Sequence, residues 1–333
     1  ETDNKQVKPS ELSLYIRQTP NAKWFSLFKT QLYVYNLSGR DTTRWLNRAL
    51  RRVGDAPVIF DAVEMETSRK EMMKAVQNMG YMGADVQTQV EKKNKKLKLT
   101  YKVVTGHPYK VRSITYDIAD SCIWKCMQRD TIGTYLSENM MFDVNKLDME
   151  RQRITDNLLR NGYYKFNKDY ISYTADTVRN TYLVDLTMHL EPFRPSRNME
   201  VQFHRPYYID KVNFITDYNV LHSSALSSIE VNDSLHYQGV PIYFNNKLYL
   251  RPKVLLHNLH FMPGSLYDEQ LVERTYSSFG RLQALKYTNI RFFENQRNDS
   301  LFLSAYVMLT KAKPQSISFE LEGTNSAGDL GAA

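Results

Sequence analysis

Two neighbouring stretches early in the chain alternate apolar and polar residues. Ala84, Val86, Thr88 and Val90 share one side of the first, with Asp85, Gln87 and Gln89 opposite; Leu97, Leu99, Tyr101 and Val103 share one side of the second, with Lys98, Thr100 and Lys102 opposite. A two-residue period is that of a half-buried strand. The pair therefore predicts a hairpin with the lysine-rich run from Glu91 to Lys96 ("EKKNKK") at its loop, a solvated end rather than a site.

A helical period precedes this hairpin, and the combination repeats. Phe60 and Asp61 head a helix-like run that ends at Gly80 and Tyr81; Phe142 and Asp143 head another that ends at Gly162 and Tyr163, with twenty positions from aspartate to tyrosine each time. A weaker third copy runs from Tyr267 and Asp268 to Tyr287, with Lys286 in place of glycine. Each aspartate can accept hydrogen bonds from the open amides of a first helical turn. Leu147, Arg151, Ile154 and Leu158 recur at helical spacing, with Arg151 the polar exception, and each glycine can take the left-handed conformation that ends a helix.

Strand pairs follow the later copies too. "KDYISYTA" precedes a run in which Tyr182, Val184, Leu186, Met188 and Leu190 share a face; "TNIRFF" precedes one in which Leu301, Leu303, Ala305, Val307 and Leu309 do. The second strand of each pair is the longer and more apolar, as a central strand should be, and the first reads as an edge. Pro-Tyr pairs, Pro108–Tyr109 and Pro206–Tyr207, open a further strand before each later copy. Ile123, Met127 and Thr131 mark a first helix ahead of the marked one. The unit reads strand, helix, helix, strand, strand.

Composition adds limits. A length of 333 residues with 42% hydrophobic content allows two or three buried cores. The excess of 44 basic over 36 acidic residues is spread along the chain, so nucleic acid is not expected as a partner. No apolar run is long enough to cross a membrane as a helix, and the start lacks the apolar core of a signal peptide. Twenty-three tyrosines and fifteen phenylalanines suit a strand-rich chain.

Candidate chemistry is sparse. Cys122 and Cys126 fall on one side of a helix, where a disulfide is geometrically possible but uncommon, and two cysteines without a neighbouring histidine make a poor zinc site. His257 and His260 would face opposite ways on a strand. Asp117 and Asp120 have no partner that defines an acid and a base, and no nucleophile elbow or phosphate loop occurs. No catalytic residue, metal or cofactor is expected, and the protein reads as a non-enzyme.

The unit order, the aromatic-Asp helix start, the Gly-Tyr exit and the unit length resemble POTRA domains, the periplasmic modules of BamA/TamA-type outer-membrane assembly factors. "SELSLYIRQTPNAKWFSLF", "YNLSG" (Tyr35 to Gly39) and "GDAPVIFD" are similar to the lipoprotein TamA-like branch (TamL), and "LEGTNSAGDLG" (Leu321 to Gly331) resembles that branch's opening barrel strand. The resemblance implies an α+β fold of tandem β-α-α-β-β units, each a three-stranded mixed sheet packed on two helices. Their expected spans are 1–106, with the first strand cut short, 107–194, and 195–314 with an insertion around 219–252; residues 315–333 would begin a barrel.

It also implies a periplasmic arm tethered to the outer membrane, an upstream lipid-bearing segment and a downstream barrel, unfolded outer-membrane protein clients, and a TamB-like partner. Docking is expected where an edge strand leaves amides unpaired: at Val86, Thr88 and Val90; at Tyr170, Ser172 and Tyr173; and at Thr288, Ile290 and Phe292. The alternatives are a free-standing periplasmic adaptor, and a binder of acidic polymer or lipid headgroups. The last would show steep salt dependence and need Lys92, Lys93, Lys95 and Lys96.

Overall fold

In a computed structural model of the protein, the described residues are 1–21, 30–39, 41–94, 96–130, 132–194, 200–218, 231–298 and 300–312, with the backbone alone of 323–326 and 329–332. Three sheets, each with its own helices, follow one another along the chain, and a short two-stranded pair comes after them.

The first unit opens with a segment that makes one parallel bridge, Thr2 to Val103. Val103 N–H donates to Glu1 O at 2.9 Å and Val103 O accepts from Asp3 N–H at 3.2 Å, so a single bridge holds the place of a full strand. Helix α1 (Pro9–Leu12) runs into a 3-10 turn, Ser13–Tyr15. Two helices outside the repeated pattern follow, α2 (Thr30–Leu37) and α3 (Trp45–Val53). Helix α4 (Ala62–Asn78) then leads to the antiparallel pair β1 (Asp85–Lys93) and β2 (Lys96–Val104). The alternating faces are as read, but burial fades outward, from Val86 at 2% exposed to Val90 at 44%.

The lysine run is corrected. The strands reach Lys93 and Lys96, which pair directly, so Lys92, Lys93 and Lys96 are ladder residues and not a loop. A two-residue turn with Asn94 at φ 47° suffices, because that left-handed geometry matches the strand twist. Lys95 lies outside the described residues.

The second unit comprises β3 (Lys110–Asp117), α5 (Ser121–Arg129), α6 (Val144–Arg160), β4 (Ile171–Thr177) and β5 (Leu183–Leu190). Its sheet order is β3-β5-β4, with β3 parallel and β4 antiparallel to the central β5. Val184, Leu186 and Met188 are fully buried, whereas Tyr182 lies before the strand and is half exposed. Helix α5 ends at Arg129, so Thr131 falls beyond it and outside the described residues. Buried Glu150 fixes the loop between the helices: it accepts from Tyr135 N–H at 2.9 Å and Thr134 Oγ1 at 3.1 Å, and Arg153 neutralises it at 2.8 Å.

The third unit is larger. It contains β6 (Tyr207–Ile215), β7 (Asp233–Tyr237), β8 (Val240–Phe244), α7 (Pro252–His257), α8 (Glu269–Gly280), β9 (Leu285–Arg297) and β10 (Ser300–Lys311). The order is β7-β8-β6-β10-β9. The β7–β8 hairpin, in the stretch whose length exceeded that of the second unit, joins the sheet through Phe214 opposite Ile242 and Ile215 opposite Tyr243. Central β10 buries Leu303, Ala305, Val307 and Leu309 on one face and Met308 on the other, where Ile215 and Tyr218 pack. Position, not length, separates central from edge strands: β9 has 13 residues and β10 has 12. The backbone of β11 (Gly323–Ser326) pairs antiparallel with β12 (Asp329–Ala332), two short strands where one was expected. Residues 313–322 lie outside the description.

Aspartates start the long helices as anticipated. Asp61 accepts from Val63 N–H, Asp143 from Asn145 N–H, and Asp268 from Gln270 and Leu271 N–H. Asp120 does the same for α5, accepting from Cys122 and Ile123 N–H, which gives that residue a structural role.

Candidate functional site

In each unit the first strand of the hairpin is an outer strand: β1 in a two-stranded ladder, β4 and β9 at the ends of theirs. An antiparallel strand points alternate residues' amides at its partner and the rest away. The register tells which. Val103 turns its N–H and C=O toward the N-terminal segment, so it and its opposite, Val86, form a non-hydrogen-bonded pair. Val86, Thr88 and Val90 therefore direct their backbone groups outward from β1.

On β4 the parity differs from the sequence reading. Glu191 N–H donates to Tyr170 O at 2.7 Å and Val178 N–H to Leu183 O at 3.0 Å, so the even-numbered residues, Ser172 among them, face β5. The outward groups belong to Ile171, Tyr173, Ala175 and Thr177. Of the three residues expected there, Tyr173 alone is on the free side. Tyr170 closes a 3-10 turn (Lys168–Tyr170) just before the strand. Ile171 N–H closes the 3-10 turn by donating to Lys168 O; among the described residues no backbone bond reaches the outward groups of Tyr173, Ala175 and Thr177. Ile171 is buried, but Ala175 and Thr177 are exposed, so the far half of the edge is accessible.

Strand β9 is different. Thr288, Ile290 and Phe292 do face outward, but the Tyr276 hydroxyl of α8 accepts from Ile290 N–H at 2.8 Å and donates to Ile290 O at 3.2 Å. One side chain thus occupies both ladder groups that an incoming strand would use. In the second unit the opposite edge is covered by the unit's own loop, Val111 N–H of β3 donating to Met140 O; in the third, Ile209 N–H of β6 donates to Ser265 O, and the far part of β6 pairs with β8, which leaves β7 as the opposite edge.

The repeated Gly-Tyr, Pro-Tyr and aromatic-Asp marks have a second role. Tyr109 N–H donates to Gly80 O at 2.9 Å, and Phe142 N–H donates to Tyr109 O at 2.9 Å; Tyr207 N–H donates to Gly162 O at 2.8 Å, and Tyr267 N–H donates to Tyr207 O at 2.9 Å. The marks converge into one joint, made twice. Gly80 and Gly162 both have φ 94° and stop their helices in the same way, Tyr81 N–H reaching Val76 O and Tyr163 N–H reaching Leu158 O. A Cβ on Gly80 would lie 2.2 Å from Phe142 O, and one on Gly162 would lie 2.7 Å from Leu266. Glycine is required twice over, by the turn and by the neighbouring unit.

The residue after each Gly-Tyr enters the next unit's core, Met82 in the first joint and Tyr164 in the second. Tyr164 meets Tyr207, Tyr267 and Phe292 edge-on at 5.0–5.7 Å between centroids. A cleft of about 630 Å³ lies beside this joint, lined by residues that include Phe193, His204, Tyr207 and Glu294. Glu294 ties across it, accepting from Lys165 Nζ at 2.7 Å and Tyr207 hydroxyl at 3.1 Å. Burial, then the nearby carboxylate, raises the Tyr207 phenol well above its usual range. Burial also lowers the His204 pKa, and its neutral ring donates from Nε2 to Glu191 O at 3.0 Å. The third copy makes no such joint among the described residues: α8 stops at Gly280, and Lys286 and Tyr287 lie within β9.

Among the described residues no group of three or more His, Cys, Asp or Glu side chains could hold a metal ion. Cys122 is an exposed thiol and Cys126 a half-buried one, raised by burial and donating to Asn157 Oδ1 at 3.3 Å. His257 ends helix α7 and His260 lies beyond it, bonded to Ser278 Oγ at 2.8 Å, so neither sits on a strand as considered. No helix among the described residues is long and apolar enough to cross a membrane.

Residues 3–106 match the family described as "POTRA: Surface antigen variable number repeat". No curated protein matches the chain. Among solved structures it is similar to POTRA3-5 of BamA from Haemophilus influenzae, at 15% identity, with 93% of each chain covered and a TM-score of 0.41. It is also similar to POTRA1-3 of the periplasmic domain of Omp85 from Anabaena, at 12% identity, 94% and 93% coverage, and a TM-score of 0.26. The fold is the POTRA fold, α+β, with helices packed on mixed sheets.

Proposed function

We propose that this chain is the periplasmic arm of an outer-membrane protein insertase or translocation factor of the TamA-like lipoprotein branch. Its units, spanning 1–106, 107–194 and 195–314, form a non-enzymatic scaffold. They receive extended segments of unfolded outer-membrane clients, or of a TamB-like partner, by weak strand addition and pass them to a membrane barrel. The observation that carries this reading is the outward edge of β4, whose groups at Tyr173, Ala175 and Thr177 make no backbone bond with another described residue. The POTRA match over the first unit supports the setting.

Energetics favour a relay over a tight receptor. Four or five added backbone bonds at ~0.5–1.5 kcal/mol net each give roughly millimolar affinity before ordering costs. Two such edges along one arm, β1 and β4, raise the local concentration of a client while each lets go readily.

The test is an NMR titration of the chain with a synthetic alternating strand of about ten residues, the length of a barrel strand. Shifts should concentrate at the amides of Tyr173, Ala175 and Thr177 and survive added salt. Ala175→Pro removes an outward N–H and no ladder bond, so it should abolish the response while the fold is kept. Unmoved β4 amides, or equal binding by the proline variant, would overturn the proposal.

A further inference from the structure

Helix α3 is turned inside out with respect to burial. Its polar side faces the protein: Gly39 N–H donates to Asn47 Oδ1 at 3.1 Å, Asn47 Nδ2 donates to Asp41 O at 2.7 Å, and Arg51 donates to Ser38 Oγ at 3.2 Å and Gly39 O at 3.1 Å. Its apolar side faces away, with Trp45 73%, Leu46 53% and Val53 55% exposed, and no residue of the helix is buried. The placement is nonetheless built. Asp55 N–H donates to Gln31 O at 3.1 Å, and a Cβ on Gly54 would sit 2.4 Å from Tyr35 N, so the end of α3 is held closely against α2.

At 3.6 residues per turn, Trp45, Ala49, Val53, Leu46 and Leu50 occupy one continuous arc of about 140°. Arg52 and Arg48 follow Trp45 on the wheel and rim that arc. From Arg44 to Val53 there are four arginines and no acid. Arg44 is paired with Asp41 at 3.4 Å and Arg51 is held by the turn, whereas Arg48 and Arg52 have no acidic partner among the described residues. A short helix with tryptophan and aliphatic residues on one side and an arginine rim is built for a boundary where acyl chains lie under phosphates. A second copy of this face would bring arginines against arginines.

We propose that α3 is a lipid-facing element: it lies in the headgroup layer of an anionic bilayer, with Trp45, Leu46, Ala49 and Val53 toward the acyl boundary and Arg48 and Arg52 at the phosphates. This contact is independent of strand addition at β4 and places the first unit against the membrane surface.

The experiment is flotation of the full chain with phosphatidylcholine vesicles, with and without phosphatidylglycerol, alongside tryptophan emission. The chain should float with anionic vesicles only, with a blue shift that the Trp45→Phe protein loses while it still binds. Replacing Arg48 and Arg52 by glutamine should weaken binding roughly fivefold each, and Val53→Asp should abolish it; circular dichroism checks the fold of each variant. The proposal is overturned by absence of flotation, by binding that ignores these substitutions, by complete competition from soluble glycerol phosphate, which would mark a phosphate site, or by self-association that Leu46→Ser abolishes, which would make a second copy the occupant.

Discussion

Gly80 and Gly162 carry more than their sequence spacing suggests. As helix stops they would tolerate asparagine, but each backbone also touches the following unit, so any Cβ adds a clash to a strained φ. Gly80→Ala and Gly162→Ala should each destabilise the protein by about 1–3 kcal/mol in urea unfolding. His204 makes a pH-dependent contribution. Burial holds its folded pKa below the ordinary 6.5, so the unfolded chain takes up the proton first as pH falls. Its contribution is complete above the unfolded value and is lost as pH drops from there toward the folded one. The melting temperature of the wild type should therefore fall more steeply between about pH 7 and 5 than that of His204→Gln. The aspartate caps were legible because a cap is a local event; the second role of the glycines was not, because it depends on Phe142 and Leu266, residues far along the chain.

At the level of elements, the three outer strands differ in a way alternation cannot show. Periodicity tells which side chains share a face, but the outward amides follow from register, and register follows from the turn and from the bonds at the strand's ends. Tyr170 and Ser172 were misassigned for that reason, and Tyr173 was retained by parity. Strand β9 is closed by one hydroxyl. Tyr276→Phe should raise the hydrogen-exchange rate of the Ile290 amide by roughly tenfold, the worth of one such bond, with little change at Val307 on central β10. If strand addition is the activity, the same variant should gain a response at β9 in the titration proposed for β4. The α2–α3 pair lies outside the repeated unit, so the helical period of α3 had no counterpart in the other copies; neither helix buries a residue.

Across the whole molecule, the joints decide how the units move together. The first is closed by backbone bonds with Met82 as its plug, the second adds the Tyr164 cluster and the Lys165–Glu294 tie. Tyr164→Ala should loosen the second joint alone. Small-angle scattering should show a broader interunit distance distribution, while the first unit's unfolding transition stays unchanged. An unaltered distribution would mean that the backbone bonds from Gly162 suffice. Among the outer hairpin strands, the plug at β9 leaves β4 and β1 as the places where an arm of this build can add a strand.

By itself the sequence determined the repeated succession of helix and hairpin, the capped starts of the long helices, the glycine stops of the first two, and which hairpin strand lies outside, because each is set by interactions within a few residues or by a repeating period. The tertiary structure decided the rest. It set which amides of an outer strand are free, that Tyr276 fills one edge, that a single bridge at Thr2 replaces a strand, that the third sheet gains a hairpin, and that the motif marking helix ends also locks neighbouring units. These depend on contacts between residues far apart in the chain, whose pairing no local pattern encodes.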